Sequence, residues 1–600
     1  MKFFHSAAQY NKFRKKLLVG VVPILLLAAL AGLSFLFQQP LTSDQRFRSF
    51  TRQIFCTELS GSTLNLHYTL SDPSAYDLAD SPVSLGSMSR SGWNASAAQA
   101  ENYLALLQTF PREQLSPQNR LTWDILSDYL QTQQQSAPYY LYQEPLSSTL
   151  GIQAQLPVLL AEYTFRTRKD IDQYLQLLTM IPDYFHSVMD FEREKVAAGL
   201  FMNDICLTKV LEQCDAFVRD SENHYLKQIF DEQIDSFTNL TADEKISYKK
   251  QNRDIIDTYV IPAYRELMND LASLLGNNCN SGGLCHFPQG KSYYEYLVRS
   301  TTGDDSPISQ IEERIKKEVV SAYSNVQTLL QTEGLTSISL DNITVPDPEE
   351  IMVELRQAVS ADFPAAPEVS CKVKYIHGSL KDHLSPAFYL IPPLDDTGHN
   401  VIYVNPASKF NALELYTTLA HEGYPGHLYQ TVTFENSCND PVRSVLNFGG
   451  YTEGWATYAE MYAYSTWQEN PTLASIYRQD RSLMLGLASL LDIGIHYHGY
   501  SRVQVRQFLG KFGITEQSAD ALYTNILEAP ANYLKYYVGY LNFTDLQTTL
   551  KETLGEQFSL KEYHARVMAI GPCSFPVLKH YLTDTEFLAS CSAAKSVQTA

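Results

Sequence analysis

Two histidines and a glutamate in the stretch His421-Glu422-Gly423-Tyr424-Pro425-Gly426-His427 have the side chains that metal-assisted hydrolysis needs. A neutral imidazole is a good zinc ligand, and a neighbouring carboxylate can take a proton from water that a metal activates. In the common H-E-x-x-H arrangement the histidines stand four apart, about 40° around a helix, and share one face. Here they stand six apart, about 240° around a regular helix, and cannot converge on one ion. Pro425 changes this, because its ring collides with the carbonyl of residue 421, its missing N–H removes a helical bond, and Tyr424 is pushed out of the α region. Gly426 then lets the backbone turn and return His427 towards His421. The simpler alternative is a Pro-Gly turn with two incidental histidines, and the stretches downstream weigh against it.

The first of these, Gly449-Gly-Tyr-Thr-Glu453-Gly-Trp-Ala-Thr-Tyr-Ala-Glu460, reads as a helix start with Thr452 as N-cap and with Glu453 and Glu460 on one face. An acid at this point also complements the positive end of a helix without binding anything. Next come Arg481, Asp492 and His496, in and just before the apolar run SLMLGLASLLDIGIHY, at spacings that put all three on one face. Charged groups in an apolar helix are costly unless paired, which predicts a buried polar cluster. His496 stays open between a place in the cleft and a purely structural one.

The His-Glu-x-x-Pro-Gly-His pattern, with Gln430 after it, resembles the large bacterial family known as domain of unknown function 885. Members of that family look like gluzincin-type zinc metallopeptidases, in which two histidines and a downstream glutamate hold the metal. Thr452-Glu-Gly-Trp-Ala-x-Tyr-Ala-Glu460 matches the family closely and gives Glu453 the third-ligand position. Glu460 is then cast as the group that orients a ligand imidazole by accepting its free N–H. Asp492-x-Gly-Ile-His496-x-x-Gly resembles a further segment, and Tyr536 lines up with the tyrosine of the family's Pro-Gly-Gln-Ala-x-x-Tyr-x-x-Gly. Ala531 and Asn532 depart from its Gly-Gln, Tyr537 competes with Tyr536, and Leu428 replaces a histidine that members often carry after the motif. The tyrosine-rich stretch from Gly290 to Thr302 also resembles the family, so the likeness spans most of the chain outside the membrane.

The resemblance implies one zinc ion on His421, His427 and Glu453. Glu422 is the implied general base, Tyr536 and His496 the implied oxyanion donors, and Glu460, Arg481 and Asp492 the support behind the ligands. The implied substrate is a peptide. Two other readings remain: a non-catalytic surface binding protein with a degenerate site, and a zinc hydrolase of a cell-wall or other non-standard amide.

The elements that must position these residues read as mainly α. Residues 17–37 form an apolar run of the length a transmembrane helix needs, behind a tail (1–16) with five basic residues and no acid. The charge bias predicts a single-pass signal-anchor with the catalytic part outside the cell membrane. A signal peptide cleaved near Ala29-Leu30-Ala31, giving a secreted protein, is the alternative. A short stalk (38–45) leads to a helical metallopeptidase-like ectodomain (46–600), divided into a helical wall (46–335) and a metal-site half (336–600). Stripes such as Ile308, Ile311, Ile315, Val319, Ala322 and Val326 are core faces.

Around residues 371–376, 387–391 and 401–404 the alternating and β-branched texture predicts a small sheet beside the motif helix. By resemblance, residues 401–405 are expected to be an edge strand that pairs with substrate backbone. The formal net charge of −20, or −25 without the five basic residues of the tail, disfavours nucleic acid as a partner. The nine cysteines permit disulfides outside the membrane. Cys279 with Cys285 is the first candidate pair, then Cys206 with Cys214 and Cys573 with Cys591; free buried thiols are the alternative. The sequence does not give the oligomeric state.

Overall fold

The computed structural model describes residues 41–278, 280, 282–332, 343–376, 385–438 and 440–598. The basic tail, the expected transmembrane segment 17–37 and Cys279 lie outside the described residues. Among the described residues, no helix is long and apolar enough to cross a membrane. The first helix among the described residues, Ser43–Ser60, starts within the expected stalk, where Thr42 and Gln45 form a reciprocal capping box.

The chain is mainly helical with one three-stranded sheet. Among the described residues, the buried apolar side chains gather into three clusters. One lies between residues 47 and 130, with Val442 added. A second is built on α1 (Arg168–Ala198), where Ile171, Tyr174, Leu175 and Leu178 are buried as their spacing predicts. The third and largest underlies the motif residues and reaches back to α2 (Gly290–Thr302) and α3 (Ile308–Thr332). On α3 the expected stripe is buried from Ile308 to Ala322, and only Val326 is half-buried.

The sheet consists of β1 (Ser370–Tyr375), β2 (Ala387–Leu390) and β3 (His399–Val404), in the order β1-β3-β2. β3 runs parallel to β1 and antiparallel to β2. The expectation that residues 401–405 form an edge strand is therefore wrong: both hydrogen-bonding edges of β3 are in use, and β2 is the edge next to the motif. Asn411 then caps α4 (Ala412–Glu422) in a box with Glu414.

Beyond the motif follow α5 (His427–Ser437), α6 (Gly449–Thr466), α7 (Pro471–Ile493) and α8 (Asn532–Leu554). α6 and α8 pack backbone to backbone: a Cβ on Gly454 would lie 2.5 Å from main-chain atoms of Gly539. α6 starts at Gly449 with Phe448 at its N-cap, so Thr452 is not the cap. Its hydroxyl instead donates to the carbonyl of Gly449 one turn back, which places Glu453 in the second turn.

Two expected disulfides are absent. Cys206 and Cys214 are buried thiols on one helix (Asp204–Val218), and eight residues of helix separate them by about 12 Å, too far for an S–S bond. Cys573 is also a thiol, so it is not joined to Cys591.

Candidate metal centre

α4 stops at Glu422, and the chain crosses Gly423 to Gly426 before α5 restarts at His427. The N–H of Gly426 reaches the carbonyl of Ala420 at 2.9 Å, and that of Tyr429 reaches Gly423 at 3.2 Å, which folds the break tightly on itself. A Cβ on Gly426 would come within 1.8 Å of the His421 carbonyl oxygen, so no other residue fits there. Trp455 of α6 pins the same loop, its indole N–H donating to the Pro425 carbonyl at 2.8 Å. The interrupted helix thus brings together two histidines that a continuous one would set far apart. Their ring centroids are 4.9 Å apart, with planes at 83°.

Glu453 projects from α6 between them. Its Oε2 lies 3.6 Å from His421 Nε2 and 3.3 Å from His427 Nε2. The three donor atoms all lie within 4.8 Å of one another. Behind them, His421 Nδ1 faces Glu460 Oε2 at 3.4 Å, and Arg481 holds Glu460 with two contacts of 2.7 and 3.2 Å. His421 is thus fixed by its Nδ1 while its Nε2 faces the other two donors.

The charges couple strongly. Burial alone would lower the His421 pKa, but Glu453 and Glu460 raise it to about 10. Burial would raise Glu460, yet Arg481 and His421 bring it down to about 2. Glu453 is held well below the usual carboxylate range, because the two histidines and Lys535 outweigh its burial. Lys535 Nζ lies 3.3 Å from Glu453 Oε1, a contact the sequence did not signal, since a single lysine has no spacing pattern to reveal it.

These groups open onto a cavity of about 1280 Å³, which Glu422, Tyr536 and Arg481 also line. Glu422 Oε2 accepts the backbone N–H of Tyr389 in β2 at 2.9 Å, so the edge strand sets its orientation. The Tyr536 ring stacks against His421 at 6.3 Å, and burial together with Glu453 keeps its phenol protonated well above the ordinary range. Tyr537 is buried on the other side of α8 with its hydroxyl 3.0 Å from Ser482, which excludes it from the cleft.

Asp492 and His496 are not at this site. Asp492 lies on the helical face of Arg481 but eleven residues along, about 16 Å down the axis. It is fully buried and accepts from the Tyr294 hydroxyl (2.6 Å) and the Ala531 N–H (2.9 Å). His496 sits in a π-helical turn, Gly494–His498, with both nitrogens occupied by the Leu284 N–H and the Ile526 carbonyl. Its pKa is lowered to about 4 by burial, so it is a neutral structural histidine that cannot reach an oxyanion in the cleft.

A helical fold with a two-histidine, one-glutamate cluster at the base of a large cleft describes a class. Within that class, the chain belongs to the bacterial family of proteins of unknown function DUF885, whose profile matches residues 77–582. Among solved structures, a candidate lipoprotein from Colwellia psychrerythraea shares the fold with a TM-score of 0.82 and 19% identity, over 91% of this chain and 100% of that one. A candidate lipoprotein of unknown function from Shewanella oneidensis gives 0.62 and 16%, over the same shares. A metallocarboxypeptidase of Trypanosoma cruzi aligns over 91% of this chain and 98% of its own at 11% identity, with a TM-score of only 0.38. No curated protein matches the chain in sequence.

Proposed function

We propose that the chain is a zinc-dependent peptidase acting at the outer face of the cell membrane. The observation that carries this reading is the convergence of His421 Nε2, His427 Nε2 and Glu453 Oε2 beside Glu422, with Glu460 and Arg481 locking the first imidazole from behind. Two imidazoles and one carboxylate are a donor set suited to zinc with a position left open. Zinc held there supplies Lewis acidity, which polarises a carbonyl and makes water nucleophilic at neutral pH.

The chain's own groups do the rest. Glu422, steadied by the Tyr389 N–H, takes the proton of the attacking water and passes it to the leaving amine. Tyr536, held as a neutral phenol, donates to the oxyanion that forms as the carbonyl is attacked. The outer edge of β2 faces the cleft through Ala387 and Tyr389 and, with the Tyr389 N–H committed to Glu422, offers its remaining main-chain groups to an extended peptide. Placement outside the membrane follows from the basic tail and apolar segment, and it agrees with the description of both similar structures as candidate lipoproteins.

Elemental analysis of the purified protein and its Glu453→Ala variant, beside a mixed-peptide digest read by mass spectrometry, tests this reading. About one zinc per chain, lost in the variant, with chelator-sensitive cleavage, is the expected result. Metal without peptide cleavage points to another amide substrate. Neither metal nor cleavage leaves a surface binding protein.

A further inference from the structure

The cleft-facing stripe of α5 runs from His427 through Gln430, Thr431 and Phe434 to Glu435. Eight residues of helix put Glu435 about 12 Å along the axis from His427, which an extended peptide spans in three to four residues. Two side chains on the stripe lack the partners that a purely structural role would give them. Gln430 is only 4% exposed, and its amide nitrogen has no acceptor among the described residues. A buried donor in that state costs about 1–3 kcal/mol until an oxygen reaches it, and a peptide carbonyl in the cleft would supply one.

Glu435 is the second. Its carboxylate accepts the Ser444 hydroxyl at 2.9 Å and forms no ion pair among the described residues. Burial pushes its pKa up to about 7. Arg443 is close by but turned elsewhere: it is 5% exposed, lies 5.1 Å over the Phe434 ring and donates to the Ile570 carbonyl. At this end of the cleft Glu435 is therefore a lining carboxylate that no ion pair among the described residues satisfies, with the guanidinium of Arg443 committed to Phe434 and the Ile570 carbonyl.

We propose that Glu435 forms a substrate subsite for an ammonium or guanidinium group, so that the cleft selects peptides with a basic side chain, or a free amino terminus, about three residues from the bond that is cut. This rests on the peptidase reading above and names its substrate class. Gln430 holds the backbone of such a peptide and Glu435 reads its charge, while Ser444 keeps the carboxylate aimed.

The test uses the full-length protein and fluorogenic peptides carrying lysine, norleucine or glutamate at successive positions on both sides of the scissile bond, each with a free or acetylated amino terminus. At one position lysine is expected to exceed norleucine in kcat/KM by about tenfold. If the amino terminus is the source of the charge, acetylation abolishes the preference instead. Glu435→Gln brings the ratio close to one, and Glu435→Lys inverts it towards glutamate. These ratios are internal to each variant, so a general loss of folding or turnover does not move them. No positional preference, a preference that survives Glu435→Gln, or a wild-type preference for glutamate overturns the proposal.

Calorimetric binding of the lysine and norleucine peptides to Glu422→Gln separates this failure from that of the peptidase reading. Tighter binding of lysine that depends on Glu435, with no cleavage by the wild type, keeps the subsite and rejects the peptidase. Equal binding of both peptides, or binding of neither, rejects the subsite.

Discussion

Tyr536 and Tyr537 are adjacent and chemically identical, yet the fold gives them opposite surroundings. Tyr536 stacks on His421 beside Glu453, whereas Tyr537 is fully buried against Ser482. If Tyr536 donates to the oxyanion, Tyr536→Phe should lower kcat by about a hundredfold with little change in KM, because the interaction forms in the transition state. Steady-state kinetics on a cleaved peptide, with Tyr537→Phe beside it, check this; equal losses in both variants would remove Tyr536 from catalysis. The convergence of His421, His427 and Glu453 was legible because metal chemistry restricts residue types, and because Pro425 and Gly426 mark a place where a six-residue spacing can fold back on itself. His496 was not legible in the same way. A buried structural histidine and a catalytic one are the same residue type in the same apolar context, and only its two occupied nitrogens distinguish them.

At the scale of elements, helices were easier to foresee than their relations. The stripe on α3 and the break between α4 and α5 follow from spacing and from proline sterics, whereas strand order does not follow from alternation. Alternation marks residues 401–404 as half-buried strand whether the strand is central or at the edge. The start of α6 was misplaced because Thr452 is a residue type favoured at an N-cap, whereas the helix begins at Gly449. Gly450 is needed inside the helix, since a Cβ there would lie 2.0 Å from the Thr302 carbonyl of α2. The end of α7 carries a consequence for stability. Asp492 is fully buried, one of its oxygens has no partner among the described residues, and burial raises its pKa from 3.8 to about 7. Between those values the folded chain keeps a proton that the unfolded chain has released, so this group makes stability fall as pH rises from about 4 to 7 and then level off. Asp492→Asn still accepts from Tyr294 and Ala531 but cannot ionise. Its stability relative to the wild type should therefore rise with pH, by up to about 4 kcal/mol at pH 8. Thermal melts at pH 4.5 and 8 decide this, and a difference between variant and wild type that is the same at both pH values would contradict it.

For the whole molecule, the question is whether the metal organises the fold or the fold organises the metal site. In small zinc domains the ligands supply most of the core, and removing the metal unfolds them. Here each of His421, His427 and Glu453, the proposed ligands, rides on a helix whose other faces are buried in the largest apolar cluster: Leu413, Tyr416 and Leu419 on α4, Leu428 and Val432 on α5, Tyr451 and Trp455 on α6. The Trp455 bond to Pro425 and the Arg481–Glu460–His421 chain hold the same geometry with protein groups alone. The chelated protein should therefore keep its helical far-UV circular dichroism and a cooperative melt. Added zinc should raise the melting temperature by only a few degrees, since a thousandfold excess over Kd contributes about 4 kcal/mol against a core of this extent. A collapse of the helical signal on chelation would mean that packing does not hold the ligands in place, and the reading of a preformed site would fall with it.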